Sequence, residues 1–217
     1  MMSRKPNIAR CMTGAILSLG LVTHAYAVPI PDQVFTSPNT TTYGLLSSPS
    51  THFQQGVTAG LSGLLSQIDV FFARAEGPGS GSPPPAEVLF SVNLGAPWQS
   101  DANDFEQLLY FDAGQAAGVV QIDVSSANIL VSPGDLFTIG LQTSGSNAVT
   151  PYFTGAILDD HYKGGALWLD QQLLFIGTSD LNFVTYVGSP APIPEPSGLM
   201  LLVVGLSGLR LARATRS

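Results

Sequence analysis

The sequence is poor in cysteine, in charge and in basic residues away from its ends. Its one cysteine, Cys11, lies in an N-terminal stretch with the character of a cleaved leader, so disulfides are excluded as the support of the mature chain. A lipoprotein anchor is excluded as well, because Arg10 precedes Cys11 and the apolar run follows it. Charged residues make up 11% of the chain, against about a quarter in ordinary globular domains. Of its eight Lys and Arg, Arg4, Lys5 and Arg10 stand at one end and Arg210, Arg213 and Arg216 at the other, leaving Arg74 and Lys163 between. Fourteen of the fifteen acids fall between Asp32 and Asp180, so that region carries a net charge of −12. Nucleic acid is excluded as a partner, since binding phosphates needs clustered cations. Outside the leader the histidines are His52 and His161, with no His pair at metal-ligand spacing and no H-E-x-x-H. There is no Cys–His nucleophile and no G-x-S-x-G elbow, because Ser62 has Gly60 before it but Leu64 after it.

What is present in quantity is glycine, 23 residues, and proline, 16, a balance that favours short strands and turns over helices. The first residues form a second pattern. Arg4, Lys5 and Arg10 are a positive n-region and Met12 to Val22 a short apolar run. Ala25-Tyr26-Ala27 then gives an A-x-A cleavage site, and the three parts together predict a signal peptide over 1–27, cut before Val28. Arg4-Lys5 is not a twin-arginine pair, so general secretion is the expected route.

The chain end, "PIPEPSGLMLLVVGLSGLRLARATRS", has its own logic. Prolines at 190, 192, 194 and 196 keep 189–196 extended and deny it helical hydrogen bonds. Ser197 to Leu209 carries no charge and, as a helix, is roughly 20 Å long at 1.5 Å per residue. Arg210, Arg213 and Arg216 close the tail and are expected to stay cytoplasmic, leaving the preceding domain outside. Pro194-Glu195-Pro196, an apolar helix with small residues and a terminal Arg cluster, in that order behind a signal peptide, resembles a PEP-CTERM sorting signal. The resemblance implies recognition by exosortase, a membrane-embedded cysteine transpeptidase of Gram-negative bacteria, with Pro194, Glu195 and Pro196 as the recognised element. It further implies transient anchoring of 197–217 in the inner membrane, removal of the tail, and delivery to the cell surface or exopolysaccharide matrix.

Residues 28–188 read as one all-β domain, an antiparallel β-sandwich or jelly roll. "LLSQIDVFF" alternates, with Ile68, Val70 and Phe72 on one face. "AEVLFSVNL", "VVQIDVSS", "LFTIGLQT", "ALWLDQQLLFI" and "LNFVTYV" follow as strands between Gly, Pro, Asn and Ser clusters. "FEQLLYFDAG" fits either a strand or a short helix. "EGPGSGSPPP", Glu76 to Pro85, is expected to be a flexible hairpin excursion. "QGVTAGLSGLLSQIDVFF" and the closing "YKGGALWL" and "DLNFVTYV" are similar to segments of extracellular bacterial sandwich domains that accompany PEP-CTERM tails, with Val57 in place of the usual aromatic and Val184 in place of the usual Arg. That similarity implies a carbohydrate-binding-module-like jelly roll and no defined activity.

Candidate chemistry is sparse. Trp98, Trp168, Tyr152 and Tyr162 are the aromatics for a sugar platform; Trp98, after Gly95-Ala96-Pro97, is expected in a loop and exposed, and Trp168, between Leu167 and Leu169, packed. "SDANDFE" offers Asp101, Asn103, Asp104 and Glu106 as oxygen ligands for a structural Ca²⁺ or, equally, as a solvated loop. "LDDHYKGG", with Asp159, Asp160 and His161, fits a polar turn or a metal ligand set. The leading expectation is a secreted, non-enzymatic surface or matrix protein without a cofactor. A carbohydrate-binding module for exopolysaccharide is the alternative, and a polysaccharide hydrolase using a carboxylate pair the third reading.

Overall fold

The computed structural model describes residues 28–38, 40–46, 51–78, 83–99, 102–144, 148–157 and 162–188. The signal peptide with Ala25 and Ala27, the PEP element Pro194–Pro196 and the tail arginines lie outside them, as do Asp101 and His161. Among the described residues no helix is long and apolar enough to cross a membrane.

The described residues form fourteen strands: β1 Ile30–Phe35, β2 Thr41–Gly44, β3 His52–Thr58, β4 Gly63–Glu76, β5 Ala86–Leu94, β6 Phe105–Phe111, β7 Gly118–Asp123, β8 Leu130–Val131, β9 Leu136–Thr143, β10 Thr150–Ile157, β11 Leu167–Leu169, β12 Gln172–Leu173, β13 Ser179–Leu181 and β14 Phe183–Gly188. Two 3₁₀ turns, Ser125–Ala127 and Leu174–Gly177, complete the regular structure. The strands make two antiparallel sheets. One has eight strands in the order β1-β14-β4-β10-β13, with β7 and β8 also paired to β4 and β2 to β10; the other has six in the order β12-β11-β3-β9-β5-β6.

Alternation explains how the sheets meet. On β4, Ile68, Val70 and Phe72 turn inward and are buried, as a period of two requires. Val88, Phe90 and Val92 of β5 and Phe137, Ile139 and Leu141 of β9 do the same from the facing sheet. Between the layers Phe72 stacks on Phe111 at 4.7 Å, and Phe111 meets Phe153 edge-on at 5.5 Å. Each such ring, once buried, contributes roughly 1.5–3 kcal/mol. The result is a β-sandwich around one apolar core.

Two local expectations are corrected and one open alternative is decided. The strands that Glu76–Pro85 joins are not partners in a hairpin: β4 belongs to one sheet and β5 to the other. "ALWLDQQLLFI" is not one strand. Asp170 and Gln171 both adopt positive φ, 46° and 69°, and fold β11 back on β12 as a two-residue hairpin. "FEQLLYFDAG" resolves as strand, because β6 pairs with β5 along all seven of its residues.

The interior is not wholly apolar. Gln55 of β3 points inward between Phe53 and Val57 and is fully buried, as is Asp180 of β13. Gln55 Nε2 donates to Asp180 Oδ1 at 2.8 Å, and the Tyr162 backbone N–H donates to Asp180 Oδ2 at 2.8 Å. The Leu181 N–H in turn donates to Gln55 Oε1 at 2.9 Å. A buried carboxylate is tolerable only when its oxygens are taken up in this way. This network ties the two sheets together beside the segment that leads into β11.

Candidate functional site

The outward side chains of the six-stranded sheet fall into rows set by the register. One row runs Trp168 on β11, Gln54 on β3, Gly140 on β9, Ser91 on β5 and Glu106 on β6. The next runs His52, Gln142, Leu89 and Leu108. Gly140 is demanded by its place in the first row, since a Cβ there would run into Ser91 Oγ and approach His52 Nε2 to 3.5 Å. The Ser91 hydroxyl takes up the space a side chain at Gly140 would need, and both residues are buried beneath the turn that follows β5.

The turn after β5 folds over this face. Gly95 has φ 106° and Trp98 φ 61°; for a bulky non-glycine residue the left-handed conformation costs about 1–3 kcal/mol. Four contacts hold it. The Gly95 N–H donates to Leu136 O at 2.7 Å, and Thr138 Oγ1 donates to Gly95 O at 2.9 Å. The Trp98 N–H donates to Gln54 Oε1 at 2.7 Å. Pro97 sits over Gly56, where a Cβ would meet its Cδ at 3.4 Å. The Trp98 ring then lies edge-on to the His52 imidazole with 4.6 Å between centroids. Its Nε1 is buried without a hydrogen-bond partner, a group that costs stability unless something supplies an acceptor.

His52 is fixed from behind. Its backbone N–H donates to Asp170 Oδ1 at 3.0 Å, and the Asp170 N–H donates back to His52 O at 3.0 Å. Burial lowers the imidazole pKa, and the nearby Asp170 carboxylate opposes that shift without reversing it. The ring is therefore neutral at pH 7, and the 3.4 Å approach of Gln54 Nε2 to His52 Nε2 is a contact an uncharged nitrogen can accept.

Both tryptophans of the chain thus flank Gln54 on one face, Trp98 from the β5–β6 turn and Trp168 from β11. Their exposures differ from expectation. Trp98 is in a turn but half-buried, and Trp168 is half-buried on the outer face while Leu167 fills the core. The two tyrosines do not join them. Tyr152 lies on β10 in the other sheet, its ring 4.4 Å from the Arg74 guanidinium. Tyr162 packs edge-on to Phe183 at 5.2 Å and donates its hydroxyl to Thr58 O. His52 and Gln54 have no motif around them and emerge only from the strand register.

The oxygen-rich loop has a structural account in its described part. Asp104 Oδ2 accepts from the Leu94 N–H at 2.7 Å, closing the end of the β5–β6 pair, and Asn103 Nδ2 donates to Glu106 Oε1 at 2.7 Å. Among the described residues no three His, Cys, Asp or Glu side chains gather as a metal site. No protein-family model matches the chain, and no curated protein matches it.

Proposed function

We propose that the chain is a non-enzymatic, exported protein that exosortase sorts to the surface or matrix of a Gram-negative bacterium, and that its sandwich binds polysaccharide on the outer face of the six-stranded sheet. The binding half of this reading rests on one observation: the two tryptophans of a Trp-poor chain flank Gln54 and His52 on one sheet face. The half-buried rings of Trp98, Trp168 and His52 suit sugar rings, which present apolar C–H faces and hydroxyl edges, while Gln54, buried and bonded to the Trp98 N–H, positions them. A net −12 over the domain favours neutral glycans. The strand orders β1-β14-β4-β7 and β3-β9-β5-β6 support the jelly-roll form of the sandwich.

A panel of immobilised neutral oligosaccharides tests the binding. Saturable binding is expected, weakened about tenfold or more by Trp168→Ala and again by Trp98→Ala, as for aromatic anchors. Trp168→Ala is the more telling variant, because Trp98 also packs on His52. Absence of saturable binding, or an unchanged affinity in the double variant, overturns it.

The sorting half rests on the order of proline-rich hinge, apolar run and terminal arginines. Cell fractionation and intact mass are its test. Glu195→Ala, or deletion of 210–217, is expected to keep the tail attached and the protein in the membrane fraction. Unaltered surface delivery and tail removal in both variants would sink the assignment.

A further inference from the structure

Strand β6 is an open sheet edge. It pairs with β5 over seven residues, and no strand lies on its other side among the described residues. Backbone N–H and C=O groups along such an edge are a template for another strand, and sheets normally blunt it with proline, lysine, a bulge or brevity. Those devices appear at other edges of this sandwich. Strand β1 has Pro31 and a register shift beside it, and β12 has two residues. Strand β6, "FEQLLYF", has no proline, no lysine and no break in its register, and its outward Leu108 and Tyr110 are 42% and 57% exposed.

We propose that β6 pairs antiparallel with β6 of a second copy of this chain, on a two-fold axis through Leu108. The strand is complementary to itself in this register. Leu108 meets its own counterpart, and Leu89, beside it in the same row, extends the apolar contact on both sides. Glu106 falls opposite the second copy's Tyr110, whose hydroxyl is a donor for the carboxylate, so the one charge of the strand never faces itself. Phe105 falls opposite Phe111, and both point inward as they do now.

Parity singles out this strand. Because side chains alternate, full-length antiparallel self-pairing keeps the buried faces on one side only when the strand has an odd number of residues. Strand β6 has seven. Strand β7, the neighbouring open edge, has six, so pairing it end to end with itself would set core-facing Val120 against outward Gln121. The second copy is therefore the occupant that the strand fits.

Sedimentation velocity on the full chain in detergent, in a Cys11→Ser background, tests this. The parent is expected to be dimeric, and Leu108→Lys, which sets like charges on the axis, to raise the dimer dissociation constant about tenfold or more with unchanged near-ultraviolet circular dichroism. Leu108→Cys is expected to be joined to its counterpart by a short bis-maleimide, and Val119→Cys on β7 is not. A monomeric parent, a dimer untouched by Leu108→Lys, or cross-linking at Val119→Cys in preference to Leu108→Cys overturns the proposal. A Leu108→Lys variant that has lost its near-ultraviolet signal shifts the test to the cross-linking pair, which decides it alone.

Discussion

Asp180→Ala is expected to lower the unfolding free energy by about 3 kcal/mol, from the loss of two hydrogen bonds to a carboxylate at roughly 1.5–3 kcal/mol each. The side chain is fully buried, and its two oxygens accept from Gln55 Nε2 and from the Tyr162 N–H. Alanine removes both acceptors; the fully buried Gln55 Nε2 keeps only its bond to Gly56 O at 3.0 Å, and the Tyr162 N–H loses its partner at the half-buried rim of the network. Gln55 is itself at zero exposure, and its Oε1 holds the Leu181 N–H, so the disturbance reaches β3 and β13 together. Asp180→Asn is the informative companion. It keeps the volume and one acceptor oxygen but turns the other position into a donor against a donor, so it should cost less than alanine and more than nothing. Urea unfolding monitored by tryptophan fluorescence measures both. A loss under about 1 kcal/mol for Asp180→Ala would mean that the network tying the sheets together is dispensable.

The effect is expected to reach the binding face. Tyr162 opens the segment that leads to β11, and β11 carries Trp168. Releasing the Tyr162 N–H loosens that lead at its start. Saccharide binding in Asp180→Ala should therefore fall even below the unfolding midpoint, although no residue of the network is on the outer face.

How much of this was legible in the sequence depended on whether one face of a strand was purely apolar. Strand β4 was plain because Ile68, Val70 and Phe72 alternate with Gln67, Asp69 and Phe71, and β9 followed the same rule with Phe137, Ile139 and Leu141. Strand β3, "HFQQGVT", hid itself because Gln55 sits on the inward face, where it serves Asp180 from the opposite sheet. Strand β10, "TPYFTGAI", was masked by Pro151 and Gly155; in the fold the Pro151 carbonyl accepts from the Leu45 N–H, and Gly155 admits the Tyr43 ring and the Asp180 carbonyl. The candidate site was legible only through its tryptophans. Its other members are brought together by strand order across a sheet, with Gln54, Ser91, Gly140 and Trp168 aligned although far apart in the chain. Composition carries no information about such a row.

Gly165→Ala is expected to cost about 3 kcal/mol and to lower the melting temperature by roughly 6–12 °C for a domain of this size. A Cβ at Gly165 would run into the carbonyl oxygen of Gly56 and come within 3.2 Å of its Cα, so the obstacle is backbone on β3 and no side chain can rotate away. The approach is close because the chain is pinned on both sides of it. The Gly56 N–H donates to Ala166 O at 3.0 Å, and Thr58 Oγ1 donates to Gly164 O. Relief requires breaking one of these bonds or sliding β11 along β3. Either movement displaces Trp168 from its position opposite Gln54, so stability and saccharide binding should fall together in this variant. Gly164→Ala separates the two causes. There the Cβ would meet the Tyr162 ring and hydroxyl, the end of a side chain and not a strand, so the loss should be smaller and the register of β11 intact. Thermal unfolding of the two variants side by side decides the matter: equal losses would mean that contact between the Gly56 and Gly165 backbones is not what holds β11, and with it Trp168, against the sheet.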